Sequence, residues 1–116
     1  YTTLMNKVYT IWEAAVSVNE MTKGKKILTE KYRDFKTRAA LEIAFQKPVK
    51  RKGKNISVKV TFFMKELYRK DVDGGIKAVL DACTEAGCWE DDRYIETLIL
   101  KKVKSDVDKV EIEILN

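Results

Sequence analysis

Asp71-Val72-Asp73 sets two carboxylates one residue apart, and Lys77 follows the second by one helical turn. A further acidic pair, Asp91-Asp92, comes after Gly87, a glycine placed like a helix stop. Clustered carboxylates repel one another, so a fold that gathers them is built to hold a cation. A hard divalent ion held by oxygens makes water nucleophilic and stabilises a pentacovalent phosphate anion. A hard-metal site inside a positive surface is what a protein needs to cut nucleic acid.

Each feature also has an ordinary reading. Asp73 would be a helix N-cap, Asp71 a turn residue, Lys77 an i,i+4 partner of Asp73, and Asp91-Asp92 a solvated turn. What shifts the balance is their combination with the charge of the rest of the chain and with the residue pattern that surrounds them. Residues 21–70 carry sixteen Lys/Arg against four Asp/Glu, a balance of +12. Residues 71–116 carry six against twelve, a balance of −6, and residues 1–20 contribute −1, which restores the total of +5. A basic half joined to an acidic, motif-bearing half fits a polyanion-binding surface beside a metal site.

A chain of 116 residues, 45% hydrophobic, is expected to form one folded domain over 1–116. Met5 is read as the native start, with residues 1–4 ahead of it. No apolar run nears the ~20 residues that span a bilayer, so no membrane partner and a cytoplasmic location are expected. The absence of histidine excludes the usual His/Cys zinc sites and any imidazole base. Cys83 and Cys88 are read as buried thiols.

The elements that must position these groups can be read in turn. Lys7–Trp12 is β-branched and aromatic, a strand. Residues 17–22 form a loop, and the basic turn Lys23-Gly24-Lys25-Lys26 leads to a short extended piece, Ile27-Leu28. Thr29 caps a helix over about Glu30–Gln46, with Tyr32, Phe35, Ala39, Leu41, Ile43 and Phe45 on its apolar side, and Pro48 ends it. Asn55–Glu66 alternates, with Ile56, Val58, Val60, Phe62 and Met64 on one face. A second helix runs from Asp73 to Ala86 with Ile76, Val79, Leu80 and Cys83 inward. Tyr94–Val103 and Lys109–Leu115 are two further strands around the turn Lys104–Asp108. The order β-α-β-α-β-β predicts an α+β domain, two helices laid on one mixed sheet.

Asp71-Val72-Asp73, Lys77-Ala78, Asp81-Ala82, Ala86-Gly87, Trp89 and Asp91-Asp92 share a register that resembles the RusA-type Holliday junction resolvases. Those are small endonucleases of phage and bacterial recombination. Ser17-Val18-Asn19, the Gly24-Lys25-Lys26 turn and Leu28-Thr29 are similar as well, so the resemblance covers the chain from about residue 7. It implies that Asp71, Asp73 and Asp92 bind the metal and that Lys77 is the catalytic lysine, with Asp91 a helper. It also implies Mg²⁺ (or Mn²⁺) as cofactor, a four-way DNA junction as substrate and a homodimer cutting two opposed strands. Asp81 reads as a structural partner of Lys77. One departure stands out: the family has asparagine after the second aspartate, where this chain has Gly74-Gly75. Two glycines weaken a first helical turn, so the helix is expected to start late, near Ile76.

The cations expected to meet the DNA backbone are Lys23, Lys25, Lys26, Lys31, Arg33, Lys36, Arg38, Lys50, Arg51, Lys52 and Arg69. Phosphate contacts supply affinity but no sequence choice. Two other readings compete with the nuclease. One is a DNA-binding module of the same fold without efficient turnover. The other is a small interaction protein whose aspartates only cap a helix and whose basic face takes an acidic partner.

Overall fold

The computed structural model describes residues 7–15 and 30–116. The expected loop over 17–22, the basic turn with Lys23, Lys25 and Lys26, the Ile27-Leu28 piece and the Thr29 cap all lie outside the described residues. Four strands and two helices follow in the expected order: β1 (Lys7–Ile11), α1 (Glu30–Phe45), β2 (Ile56–Met64), α2 (Ile76–Ala86), β3 (Ile95–Lys104) and β4 (Lys109–Ile114). A 3-10 turn, Asp92–Tyr94, leads into β3. Among the described residues no helix is long and apolar enough to cross a membrane.

The strands form one mixed sheet in the order β1-β4-β2-β3. β2 runs parallel to β3 and antiparallel to β4, and β1 is antiparallel to β4. Although β3 and β4 are consecutive, β2 lies between them. The connection crosses the end of β2, where the Ser105 N–H donates to the Met64 carbonyl (2.9 Å) and the Lys65 N–H to Asp108 Oδ1 (3.0 Å). The parallel pair β2-α2-β3 is the unit that matters here. The Asp71-Asp73 turn enters α2, and the Asp91-Asp92 loop leaves it.

Alternation settles which face is buried. Ile56, Val58, Val60 and Phe62 of β2 and Val110, Ile112 and Ile114 of β4 are buried. In β1, Tyr9 and Ile11 lie across from Ile112 and Val110 and are buried with them. Both helices cover this single face, contributing Phe35, Ala39 and Ile43 from α1 and Ala78, Val79, Ala82 and Cys83 from α2. The opposite face carries Ser57, Lys59, Thr61, Lys109, Glu111 and Glu113, none fully buried.

The apolar side of α1 differs from the sequence expectation at two positions. Tyr32, Phe35, Ala39, Ala40 and Ile43 are buried, whereas Leu41 and Phe45 are 57% and 81% exposed. The reason is the helical period: at 100° per residue, Leu41 and Phe45 sit two residues beyond Ala39 and Ile43, on the far side of the helix.

Candidate active site

The chain leaves β2 at Met64 and turns through residues 65–75 into α2. The Gly74 N–H donates to the Asp71 carbonyl at 2.9 Å, closing a tight turn around Val72-Asp73. The residue preceding α2 is Gly75, with no side-chain cap, and the Val79 N–H reaches the Gly75 carbonyl (3.3 Å). The helix therefore starts at Ile76, as the two glycines predicted, rather than at Asp73. Asp73 caps nothing. Asp71 and Asp73 are both exposed, and among the described residues no hydrogen bond or ion pair engages either carboxylate.

Gly75 is fixed by packing. A Cβ there would lie 2.6 Å from the Ala15 Cβ, inside any real contact, and 3.6 Å from the Phe62 ring. The turn thus rests directly against the chain leaving β1. Gly75→Ala should lower stability by about 1–3 kcal/mol in a denaturant titration, because neither Ala15 nor the buried Phe62 can swing away. Unchanged stability would show that the acidic turn is not seated on this surface.

Lys77 lies in the first turn of α2, and its Nζ is 3.0 Å from Asp81 Oδ1, one turn on. Its partner is Asp81, as expected, not Asp73. The buried Tyr32 of α1 donates its hydroxyl to the other Asp81 oxygen. One carboxylate thereby ties Lys77 to the helix beneath. The Asp81 hydrogen bond raises the Lys77 pKa, and the charges of Asp81, Asp92 and Asp91 act in the same direction. Burial, then the Asp81 hydrogen bond, pushes the Tyr32 hydroxyl up as well. Lys77 is therefore a firm cation at neutral pH. Tyr32→Phe should cost about 1 kcal/mol in thermal or denaturant unfolding, the net worth of one such bond. A neutral result would detach Asp81 from α1.

The second acidic pair is placed by a rigid helix stop. Gly87 adopts φ 93° and ψ 23°, the left-handed cap its lack of a side chain allows, and the Cys88 N–H donates to the Cys83 carbonyl at 3.0 Å. Both thiols are buried, and a hydrogen bond between them, reinforced by burial, drives the Cys83 pKa well up. Trp89 is almost fully buried and donates Nε1–H to Thr84 Oγ1 at 2.8 Å. The basic turn is fastened here too: the Arg51 N–H meets the Cys88 carbonyl at 2.8 Å. Asp91 caps the 3-10 turn by accepting from the Arg93 N–H (3.0 Å). Asp92 is half-buried, and its charge adds to the upward shift of both Lys77 and Tyr32.

Lys77, Asp81, Asp91 and Asp92 thus share one electrostatic neighbourhood. Asp71 and Asp73 precede α2 and Asp92 follows it, while Lys77, in the first turn of the helix, stands at the Asp71–Asp73 end and still feels the charges of Asp91 and Asp92. Among the described residues no three acidic or thiol side chains converge as a ready metal cage. The donors themselves are all carboxylate oxygens, and Asp71 and Asp73 are unengaged. That suits Mg²⁺, which keeps several waters and takes one or two carboxylates plus substrate phosphates.

Beside Asp71 opens a cleft of about 440 Å³ whose walls include Lys65, Arg69, Lys70, Lys102 and Lys109 together with Phe62. Of the expected DNA-contacting cations, Arg33, Lys50, Lys52 and Arg69 are exposed with no ion pair among the described residues. Lys31 is exposed on α1. Lys36 pairs with Glu85 (3.3 Å) and Arg38 with Glu13 (2.8 Å). The Arg51 guanidinium turns inward, donating to the carbonyls of Lys52, Asn55 and Asn116. It serves as a strut for the turn between its neighbours.

Two lysines that the sequence reading passed over hold the acidic turn. Lys70 Nζ donates to the Ala15 carbonyl at 2.6 Å, and Lys102 Nζ donates to the Lys70 carbonyl at 2.9 Å. Lys102 also stands 5.4 Å from the ring centre of the exposed Tyr68. The signal was there: Lys102 lies opposite Phe62 in register, an inward strand position where a lysine needs a reason. No curated protein matches the chain. The Endodeoxyribonuclease RusA family profile matches residues 13–115, nearly the whole length, including the Asp71 turn, Lys77, the Asp91-Asp92 loop and the helices and strands that carry them. The chain belongs to the RusA endodeoxyribonuclease family.

Proposed function

We propose that this protein is a divalent-metal-dependent endonuclease that resolves four-way DNA junctions by paired nicks, acting as a homodimer. The observation that carries the reading is the unengaged carboxylates of the Asp71–Asp73 turn, with Asp71 itself lining a lysine-rich cleft, on a chain of an endodeoxyribonuclease family. Asp71 and Asp73 would hold Mg²⁺ or Mn²⁺, with Asp92 as the further acidic ligand and Asp91 as a helper that shapes the loop. When bound, the ion supplies an activated water and charge neutralisation at the scissile phosphate.

Lys77 contributes a fixed positive charge. Held by Asp81 and raised in pKa, it stays protonated and can neutralise a phosphate oxygen or orient water. Arg33, Lys50, Lys52 and Arg69 offer exposed cations to the DNA backbone, alongside Lys31 and the cations outside the described residues, Lys23, Lys25 and Lys26. A four-way junction has two-fold symmetry, which two copies of the site in matched orientation would meet.

Gel shifts in chelator test the substrate half of this reading. Binding to a synthetic four-way junction should be tighter than to linear duplex of the same length. Affinity for the junction should fall steeply with salt, by roughly 0.9 in log–log slope for each phosphate neutralised. Changing Lys50 and Lys52 together to Gln should flatten that slope. Equal affinity for duplex and junction would remove the junction from the proposal, and a salt-independent affinity would remove the basic surface.

A further inference from the structure

β2 ends at Met64 and α2 begins at Ile76, so the Asp71–Asp73 turn has no strand or helix ladder of its own to fix it. Contacts to other elements do that instead. Lys102 Nζ, from β3, donates to the Lys70 carbonyl at 2.9 Å. Lys70 Nζ donates to the Ala15 carbonyl, and Gly75 rests on the Ala15 side chain at the far end of the turn. Lys102 is the odd member of this set. Leu98 and Leu100 of β3 stand opposite Val58 and Val60 on the face that the helices cover, and Lys102 follows them opposite the buried Phe62. A half-buried lysine there gives up hydration, and an apolar side chain would serve the fold as well or better. Its charge also repels any divalent cation nearby. Neither stability nor cation attraction explains it.

What Lys102 supplies is a donor to one particular peptide. The carbonyl it grips belongs to the planar unit whose nitrogen is Asp71's own, so holding that oxygen fixes where the Asp71 backbone starts. The exposed Tyr68 ring, 5.4 Å from the same ammonium, is a second hold on it. We infer that Lys102 is a positioning residue for the metal: by gripping the Lys70–Asp71 peptide it preforms the acidic turn in the shape its ion needs. This rests on the metal-dependent reading above and assigns part of the ion's affinity to a strand that carries none of the proposed ligands. Mg²⁺ demands near-ideal geometry, and a turn that had to be ordered at the moment of binding would lose affinity to that ordering. Groups that orient ligands without touching the ion commonly govern its affinity.

Titration of the full chain with Mn²⁺ in the absence of DNA, followed by the EPR signal of the free ion, tests this, with the melting temperature of each variant read alongside. Wild type should bind Mn²⁺, and Asp71→Asn should lose it, which assigns the ion to the turn. Lys102→Met keeps the apolar stem and removes the donor. It should weaken Mn²⁺ binding about ten-fold or more, with a melting temperature equal to or above that of wild type. Lys65→Met is the control for charge: it removes an equal cation from the cleft wall and should bind Mn²⁺ as tightly as wild type or more tightly. Equal or tighter binding by Lys102→Met would overturn the inference and leave the Asp71–Asp73 site standing. A lower melting temperature with unchanged Mn²⁺ binding would make Lys102 a structural residue only. Weaker junction binding in chelator with unchanged Mn²⁺ binding would make it a phosphate contact instead. A wild type that binds no Mn²⁺ would overturn the metal reading itself, and this inference with it.

Discussion

Asp71→Asn, Asp73→Asn and Asp92→Asn should each lower the rate of junction cleavage by about a thousand-fold or more, the loss of several kcal/mol of transition-state stabilisation. The swaps keep shape and volume. Because Asp71 and Asp73 are exposed and make no hydrogen bond among the described residues, the melting temperature should hold, and binding in chelator should hold or improve. Asp92 is the more demanding case. It follows α2, whereas the other two precede it, and its charge reaches Lys77 and Tyr32. Cleavage within ten-fold of wild type for any of the three would remove that residue from the site. If only Asp92→Asn were active, the reacting ion would be confined to the Asp71–Asp73 turn.

The second large effect is expected at Lys77. Lys77→Ala should cut the rate by about a hundred-fold with little change in the metal concentration needed, since its proposed partner is phosphate or water. Stability should barely move, because a pair 57% exposed on the lysine side is worth only a few tenths of a kcal/mol. The pKa direction fixes the sign of the pH dependence. With its folded value raised, the pair's stabilising contribution is complete below the ordinary lysine value of about 10.4 and is lost as pH rises through the raised value. The cleavage profile should therefore show no lysine-linked loss anywhere below about pH 10. A titration near pH 7 or 8 that disappears in Lys77→Ala would make Lys77 a base instead of a fixed cation. Normal cutting by the variant would leave it merely the helix-surface partner of Asp81.

Local patterns made much of this molecule legible. The alternation of Ile56, Val58, Val60 and Phe62 announced β2 and its buried face. Gly74-Gly75 announced a late helix start, and Gly87 its stop. These signals are local, carried by residues a few positions apart. What escaped depended on who meets whom at long range. Tyr32 looked like one more apolar position, yet its hydroxyl reaches Asp81, 49 residues away. Lys102 gave no motif, because its role is to grip the Lys70 carbonyl across the connection from β2. Arg51 looked like a DNA cation from its basic neighbours, but nearby carbonyls claim its guanidinium. Leu41 and Phe45 were assigned to the core by hydrophobicity alone, where the 3.6-residue period turns them outward. The order β1-β4-β2-β3 was equally out of reach, since nothing in a single strand states its neighbours.

Gly75 shows how the candidate site and the fold share residues. Where the family pattern has asparagine at the preceding position, this chain has a double glycine, and the second is required by its contact with Ala15. Gly75 therefore has a packing role of its own, and lost activity is not needed to explain it. The carboxylates on either side of α2 remain in place.

The most direct test of the central claim is to incubate the purified protein with a synthetic four-way junction, end-labelled on each strand in turn, and to resolve the products on a denaturing gel. The account predicts nicks at matching positions on two opposed strands in Mg²⁺ or Mn²⁺, none in chelator, and none from Asp71→Asn or Asp73→Asn in any metal. Binding without nicks under every metal condition would contradict it and leave a junction-binding module of the same fold.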